Sequence, residues 1–208
     1  MTMVIKYQIF WRKTMKVIDV NGWRKSPDLE KAPDPIKGII VKISEGTDID
    51  EDFDRHMNNA LDQDVPVGVY CFTHAQTPLR AEEEAMALIE KLNEYEGADL
   101  SLGIWIDMED SNMPDVTPFE RAEIIMAFLN VITERNHDIP VGVYSGYYGM
   151  TSDIDVNSLP GYVQLWVSNY SSINYWNDEH PERPARMWQY SDSYKIGNDY
   201  YDVEEWYD

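Results

Sequence analysis

SLGIWIDME, residues 101–109, is the stretch on which the fold turns. From Leu102 through Ile106 it is almost wholly apolar, and then two acids, Asp107 and Glu109, arrive in alternate positions. A strand with one face in water alternates strictly, whereas a strand covered on both faces reads as a near-continuous apolar run. This run is of the second kind, so it belongs to a sheet packed under helices. Six other stretches repeat it: KVIDV from Lys16, GIIVKIS from Gly38, PVGVYCFTH from Pro66, PVGVYSG from Pro140, YVQLWVSN from Tyr162 and ARMWQYSD from Ala185.

Helical segments lie between these strands. Residues 51–63 form a short one. A second starts at Thr77-Pro78, where Thr caps and Pro suits the first turn, and runs through RAEEEAMALIEKLNEY. A third opens with TPFE, in which Thr117 caps, Pro118 enters the first turn and Glu120 completes a capping box. Strand and helix thus alternate through residue 146, which predicts βαβ units, and this many strands in one chain predict a barrel. Beyond residue 146 the helical signal fades. The fold class expected is α/β, an irregular TIM-like β/α barrel with helices missing around its last strands.

A chain of 208 residues fits one domain. Residues 1–14 are set apart as an N-terminal extension, because the first convincing strand starts near Lys16, and residues 15–208 are read as a single catalytic barrel. No ordered basic, apolar and small-residue series marks a signal peptide, and no apolar run approaches the ~18 residues of a membrane span. The formal net charge of −21 argues against nucleic acid, whose binding depends on cationic side chains that displace counterions. A single cysteine, Cys71, rules out an internal disulfide framework and, inside an apolar strand, reads as a small core residue.

Chemistry concentrates at the downstream strand ends: Asp19, Ser44 and Glu45, Thr73 and His74, Asp107 and Glu109, Ser145, Ser168 and Asn169, Ser191 and Asp192. In β/α barrels these ends converge on the face where active sites are built. Any strand turns polar where it meets a loop, but convergent carboxylates are costly, because like charges raise one another's pKa. Asp107 and Glu109, two apart on a strand, point to one face at a Cα spacing of roughly 6.6 Å. Two carboxyls facing one substrate suit glycoside hydrolysis, in which one protonates the leaving oxygen and another negative group supports an oxocarbenium-like transition state. A Ca²⁺ or Mg²⁺ site is the competing reading of paired acids, weakened by the Trp105-Ile106 flank; no metal and no cofactor is expected.

Sugars present apolar ring faces with polar edges, which amphipathic aromatics match. Tyr70, Phe72, Tyr144, Trp166, Tyr170 and Trp188, with Gln189 in the closing strand, are therefore the substrate-binding candidates, and Tyr190 is a further groove candidate. Of the four histidines His74 alone stands at a strand end, where it reads as a pocket wall; no HExxH or paired-His spacing occurs.

Seven of these stretches together resemble the family 25 glycoside hydrolases, the lysozymes of phage endolysins and of bacterial and fungal muramidases. The matching motifs are VIDVNGW, IIVKISEGT, VGVYCF, IWIDMED, VGVYSG, LWVSNY and MWQYSD, in that order, over roughly residues 16–208. The resemblance implies cleavage of the β-1,4 bond between N-acetylmuramic acid and N-acetylglucosamine in bacterial peptidoglycan, without a cofactor, by a monomer. It assigns the acid/base role to Glu109 and a supporting role to Asp107. That role is either orienting the substrate's N-acetyl group as an internal nucleophile or direct attack. It further assigns a first-strand carboxylate to Asp19. One more carboxylate near the closing strand falls on Asp192, with Asp202 the alternative. The chain departs from the pattern at Asn21, where the opening motif usually has Ser, and at Cys71, often His.

An endolysin-like protein of this kind would wait in the cytoplasm until released to the wall, or be exported by another route. Without wall-binding repeats it would find its polymer through the catalytic groove alone. Two alternatives stand beside this reading: a carbohydrate-binding barrel without catalysis, and a chitinase-like hydrolase, whose longer D-x-x-D-x-D-x-E signature is absent.

Overall fold

The structure, a computed structural model, describes residues 14–109, 115–135 and 137–207. In chain order it runs β1 (Thr14–Val20), β2 (Ile36–Glu45), β3 (Asp48–Ile49), α1 (Phe53–Asp62), β4 (Val67–Phe72), α2 (Pro78–Leu92), β5 (Ile104–Asp107), α3 (Pro118–Arg135), β6 (Val141–Gly146), β7 (Gln164–Ser168), α4 (Tyr175–Glu179), β8 (Met187–Ile196) and β9 (Asp199–Tyr207). The sheet order is β1-β9-β8-β7-β6-β5-β4-β2-β3, and a further β1–β2 pairing closes it into a barrel to which β3 is appended as a hairpin.

The barrel is irregular in a specific way. Pairings from β1 through β2, β4, β5, β6, β7 and β8 are parallel, whereas β9 runs antiparallel to both β8 and β1. The sequence reading ended at β8 and did not foresee this closing strand. Thr14 already pairs with Tyr207 and Met15 with Trp206, so the barrel begins one residue inside the expected extension. Residues 1–13 lie outside the described residues. Helices cover the first half of the sheet, and between β7 and β8 stands only the five-residue α4.

Two apolar layers hold the fold. The outer one, between sheet and helices, takes one face of each strand: Ile39 and Val41, Val69 and Cys71, Ile104 and Ile106, and Val141 and Val143 meet Leu88, Ile125, Phe128 and Leu129 of the helices. The inner one fills the barrel with Val17, Ile40, Tyr70, Leu102, Trp105, Tyr144, Trp166, Met187 and Trp206. Trp105 touches Trp166 and Trp206 edge-on, at centroid separations of 5.8 and 6.3 Å, a favoured aromatic geometry. Gly68 and Gly142 face inward beside this plug. A Cβ on Gly142 would lie 2.3 Å from Trp105 Cζ3, so glycine there makes room for the indole.

The helix starts are built as their sequences require. Thr77 accepts a hydrogen bond from the Arg80 N–H. Thr117 and Glu120 form the reciprocal capping box: the Thr117 N–H donates to Glu120 Oε2 at 2.8 Å, and the Glu120 N–H donates to Thr117 Oγ1 at 3.3 Å. Among the described residues no helix is long and apolar enough to cross a membrane.

Candidate active site

Above the aromatic plug, at the ends of the parallel strands, opens a cavity of about 410 Å³ lined by Asp19, Asn21, Trp23, Lys42, Glu45, Tyr70, Phe72, Asp107, Glu109, Tyr144, Trp166, Gln189 and Asp202. Strand parity explains the lining. Trp105, Asp107 and Glu109 rise along one face, as do Tyr70 and Phe72, so the aromatic positions form the floor and the carboxyls stand over it. The structure thus brings Asp19, Asp107 and Glu109 together with Tyr70, Phe72, Tyr144, Trp166 and Gln189.

Asp107 is buried, 5% exposed. Burial is the main force holding its carboxyl well above the usual range. The charges of Glu109 and Asp19 and a hydrogen bond with Glu109 act in the same direction, while Lys42 opposes them. Asp19 is raised to about 7, first by burial and then by Asp202. The cation within the cavity wall, Lys42, donates to Glu45 Oε2 at 2.8 Å, and Glu45 Oε1 is in turn 3.0 Å from His74 Nε2. His74 does not itself line the cavity, where it was expected as a wall, and reaches the site through Glu45.

Gln189 is the hub beneath the acids. Its Oε1 accepts from the hydroxyls of Tyr144 at 3.0 Å and Tyr170 at 3.1 Å, and its Nε2 donates to Asp19 Oδ2 at 2.9 Å and Glu204 Oε1 at 3.1 Å. Both ends of the amide are fully used, which fixes its orientation and with it the position of Asp19.

Asp192, Tyr170, Trp188 and Tyr190 sit outside this cavity's lining. Asp192 is exposed and outside the cavity lining, its carboxylate accepting from Ser193 Oγ at 2.6 Å. Register shifts between Gln189 and Ser191 and again between Ser191 and Tyr194 break the alternation of β8 and turn this segment away. Asp202 takes the expected place. It lines the cavity, faces Asp19 across the strand pair, lies 3.5 Å from Arg24 and is raised to about 6, chiefly by burial. Trp188 has the opposite parity to Gln189, so its ring packs behind the wall against Tyr190, with Nε1 donating to the Asn169 carbonyl at 2.9 Å. Tyr190, against the same outer packing, does not line the cavity.

Two residues of the site were not singled out in the sequence, Lys42 in the cavity wall and Glu204 beneath it, and Asp202 stood there only as the alternative to Asp192. Glu204 is fully buried below Asp202. A signal for the acids was present, because D-V-E-E-W at 202–206 spells backward the spacing of W-I-D-M-E at 105–109. On an antiparallel strand this sets Trp206, Glu204 and Asp202 at rising levels, as Trp105, Asp107 and Glu109 are on β5.

A second cavity, of about 470 Å³, adjoins the first. It is lined by Glu109, Gly146, Tyr147, Tyr148, Gly149, Ser168, Asn169 and Tyr170. Glu109 is the residue shared by the two cavities. Asp107 Oδ1 and Trp166 Nε1, both in the first cavity's wall, are buried with no hydrogen-bond partner among the described residues, the kind of group that hydroxyl- and amide-rich ligands satisfy. Among the described residues no group of three or more His, Cys, Asp or Glu side chains is arranged to hold a metal ion.

A barrel whose strand ends set paired carboxyls over an aromatic floor defines the class as a glycoside hydrolase. Residues 18–199 match the model for glycosyl hydrolases family 25, and the chain belongs to that family. The modular autolysin LytC from Streptococcus pneumoniae, solved with a synthetic peptidoglycan ligand, superposes with a TM-score of 0.81 at 23% identity, covering 93% of this chain and 47% of its own. The chain therefore spans about half the length of that autolysin. A family 25 glycosyl hydrolase from Bacillus anthracis gives 0.76 at 19% identity, with 97% and 92% covered. A muramidase from Trichobolus zukalii gives 0.73 at 20%, with 93% and 94% covered. A search of curated protein sequences finds no match.

Proposed function

We propose that this protein is a peptidoglycan hydrolase that cuts the β-1,4 bond between N-acetylmuramic acid and N-acetylglucosamine, with Glu109 as general acid and base. The observation that carries the reading is the place of Glu109, on one strand face with Asp107 and at the junction of two cavities. A glycosidic oxygen is protonated from between the two sugars it joins. A glycan threaded through both cavities therefore presents that oxygen at Glu109, with one sugar over the acid-lined floor and the next against Tyr147, Tyr148 and Tyr170.

Asp107, buried and held toward its neutral form, suits hydrogen bonding to an N-acetyl group of the bound sugar better than attack as a bare carboxylate. Asp19 and Asp202 supply the negative potential that favours an oxocarbenium-like transition state. The peptidoglycan ligand solved with the LytC autolysin supports the choice of substrate.

The test is digestion of purified peptidoglycan, followed by mass spectrometry of the borohydride-reduced products. New reducing ends on N-acetylmuramic acid support the proposal. Reducing ends on N-acetylglucosamine, or cleavage of chitin alone, would redirect it to another bond. Wall binding without any new reducing end would make the protein a carbohydrate-binding barrel.

A further inference from the structure

Glu204 lies one level below Asp202 on β9, beside Gln189 in the register of β8 and β9. It is 0% exposed and so cannot meet substrate. Its Oε1 shares the Gln189 amide nitrogen with Asp19, and among the described residues no nitrogen or hydroxyl donor reaches its Oε2. The acidic group within hydrogen-bonding reach of it is the Asp19 carboxylate. Two buried carboxyls converging on one amide cannot both be ionised without a large penalty, and a proton held between them removes both the repulsion and the unmet oxygen.

We infer that Glu204 is a positioning residue for Asp19, a neutral carboxylic acid whose O–H donates to the Asp19 carboxylate and which, with Gln189, aims that carboxylate into the cavity. The surroundings fix which of the pair keeps the proton. Asp19 on β1 sits nearer the cavity and feels Arg24, whereas Glu204 is deeper, and the charged groups acting on it, Asp19 and Asp202, are both negative. Arg24 is engaged with Asp202, and Lys42 with Glu45. Burial is the leading reason that Glu204 is held well above the ordinary carboxyl range, with the Asp19 charge next.

The inference rests on the proposed hydrolase reading for its catalytic consequence but not for the proton itself, so two measurements separate them. The first is kinetic. Glu204→Leu, which fills similar space without a donor, should lower kcat on peptidoglycan about tenfold or more through misplacement of Asp19, with KM changed less than about twofold. Glu204→Gln keeps an N–H donor and should recover most of that loss, and its alkaline limb should move to higher pH because the pair can no longer become doubly ionised. The second is infrared difference spectroscopy of folded wild type against Glu204→Gln near pH 7. This should show one protonated-carboxyl C=O band lost in the variant, whether or not wild type cleaves peptidoglycan. Glu204→Gln as impaired as Glu204→Leu, Glu204→Leu at wild-type kcat, or no carboxyl band lost would each overturn the inference. If Glu204→Leu does not fold, the infrared band and the alkaline limb of Glu204→Gln still decide it.

Discussion

Asp19 of β1 and Asp202 of β9 face each other directly across an antiparallel strand pair, two acids on one rung at the mouth of the barrel. The rung sets how stability depends on pH. Asp19 is raised to about 7 and Asp202 to about 6, from an ordinary value of 3.8. Between roughly pH 4 and pH 7 the folded chain therefore binds more protons than the unfolded one, and stability falls as pH rises through that window. Thermal midpoints followed by circular dichroism should be higher near pH 5 than near pH 8, and Asp19→Asn should flatten the difference. A midpoint that rises steadily from pH 5 to pH 8 would contradict the buried pair.

Glu109→Gln keeps the shape of the side chain and removes its proton. General acid catalysis is worth about 10²–10⁴-fold, so kcat on peptidoglycan should drop by at least ~10²-fold while the fold persists. Asp107→Asn should also be severely impaired, through weaker support of the reacting sugar. Reducing ends released by both purified variants across pH 4 to 8 provide the check, and a folded Glu109→Gln retaining more than about a tenth of wild-type turnover would move the acid elsewhere.

The two closing-strand acids should part company. Asp202→Asn removes a charge from the cavity wall and should lower kcat/KM about tenfold, in line with the loss of electrostatic support at a developing cation. Asp192→Asn, altering an exposed side chain outside the lining, should stay within about twofold. Equal losses in both would assign Asp192 a part that its position does not explain.

Gly142→Ala tests the aromatic plug. The added Cβ would meet Trp105 Cζ3 at 2.3 Å and the Gln164 carbonyl oxygen at 2.4 Å, and the latter is backbone that cannot swing aside. Overpacking of this kind costs about 1–3 kcal/mol. Chemical denaturation should show that loss, and a Tm equal to wild type would mean the plug repacks freely.

A net charge of −21 should repel walls rich in anionic polymers at long range. Screening acts over a Debye length of about 10 Å at 0.1 M salt, so turnover on such walls should first rise as salt is raised from very low values. Turbidity clearance over a salt series measures this, and a rate that only falls with salt would count against it.

The parallel part of the barrel was legible because strands covered on both faces announce themselves as apolar runs, and the polar residues closing each run led to Asp19, Asp107 and Glu109. The closing strand was not. Residues 199–207 place Asp202 and Glu204 on the inward face and Tyr201 and Val203 outward, so an acid-bearing face that looks like a solvent face is in fact the wall of the site. Asp192 misled because it is the acid that closes the M-W-Q-Y-S-D run, whereas β8 slips register twice after Gln189 and leaves it exposed outside the lining. Trp188 misled by being one residue from Gln189, which on a strand means the opposite side of the wall. The Val-Gly-Val repeats at 67–69 and 141–143 read as strand signals, but their glycines also clear space beside Ile40 and Trp105, a demand set by partners far away in sequence.

The antiparallel β9 also sets a clock on the ribosome. The segment carrying Asp107 and Glu109 is made some ninety residues before β9, yet β1 and β8 have no partner between them until residues 199–207 emerge and pair with both. Asp202 and Glu204 arrive on that same strand. The acid pair at the end of β5 therefore precedes the strand that closes the barrel, and the carboxyl set is complete only once β9 has been made and has paired with both neighbours.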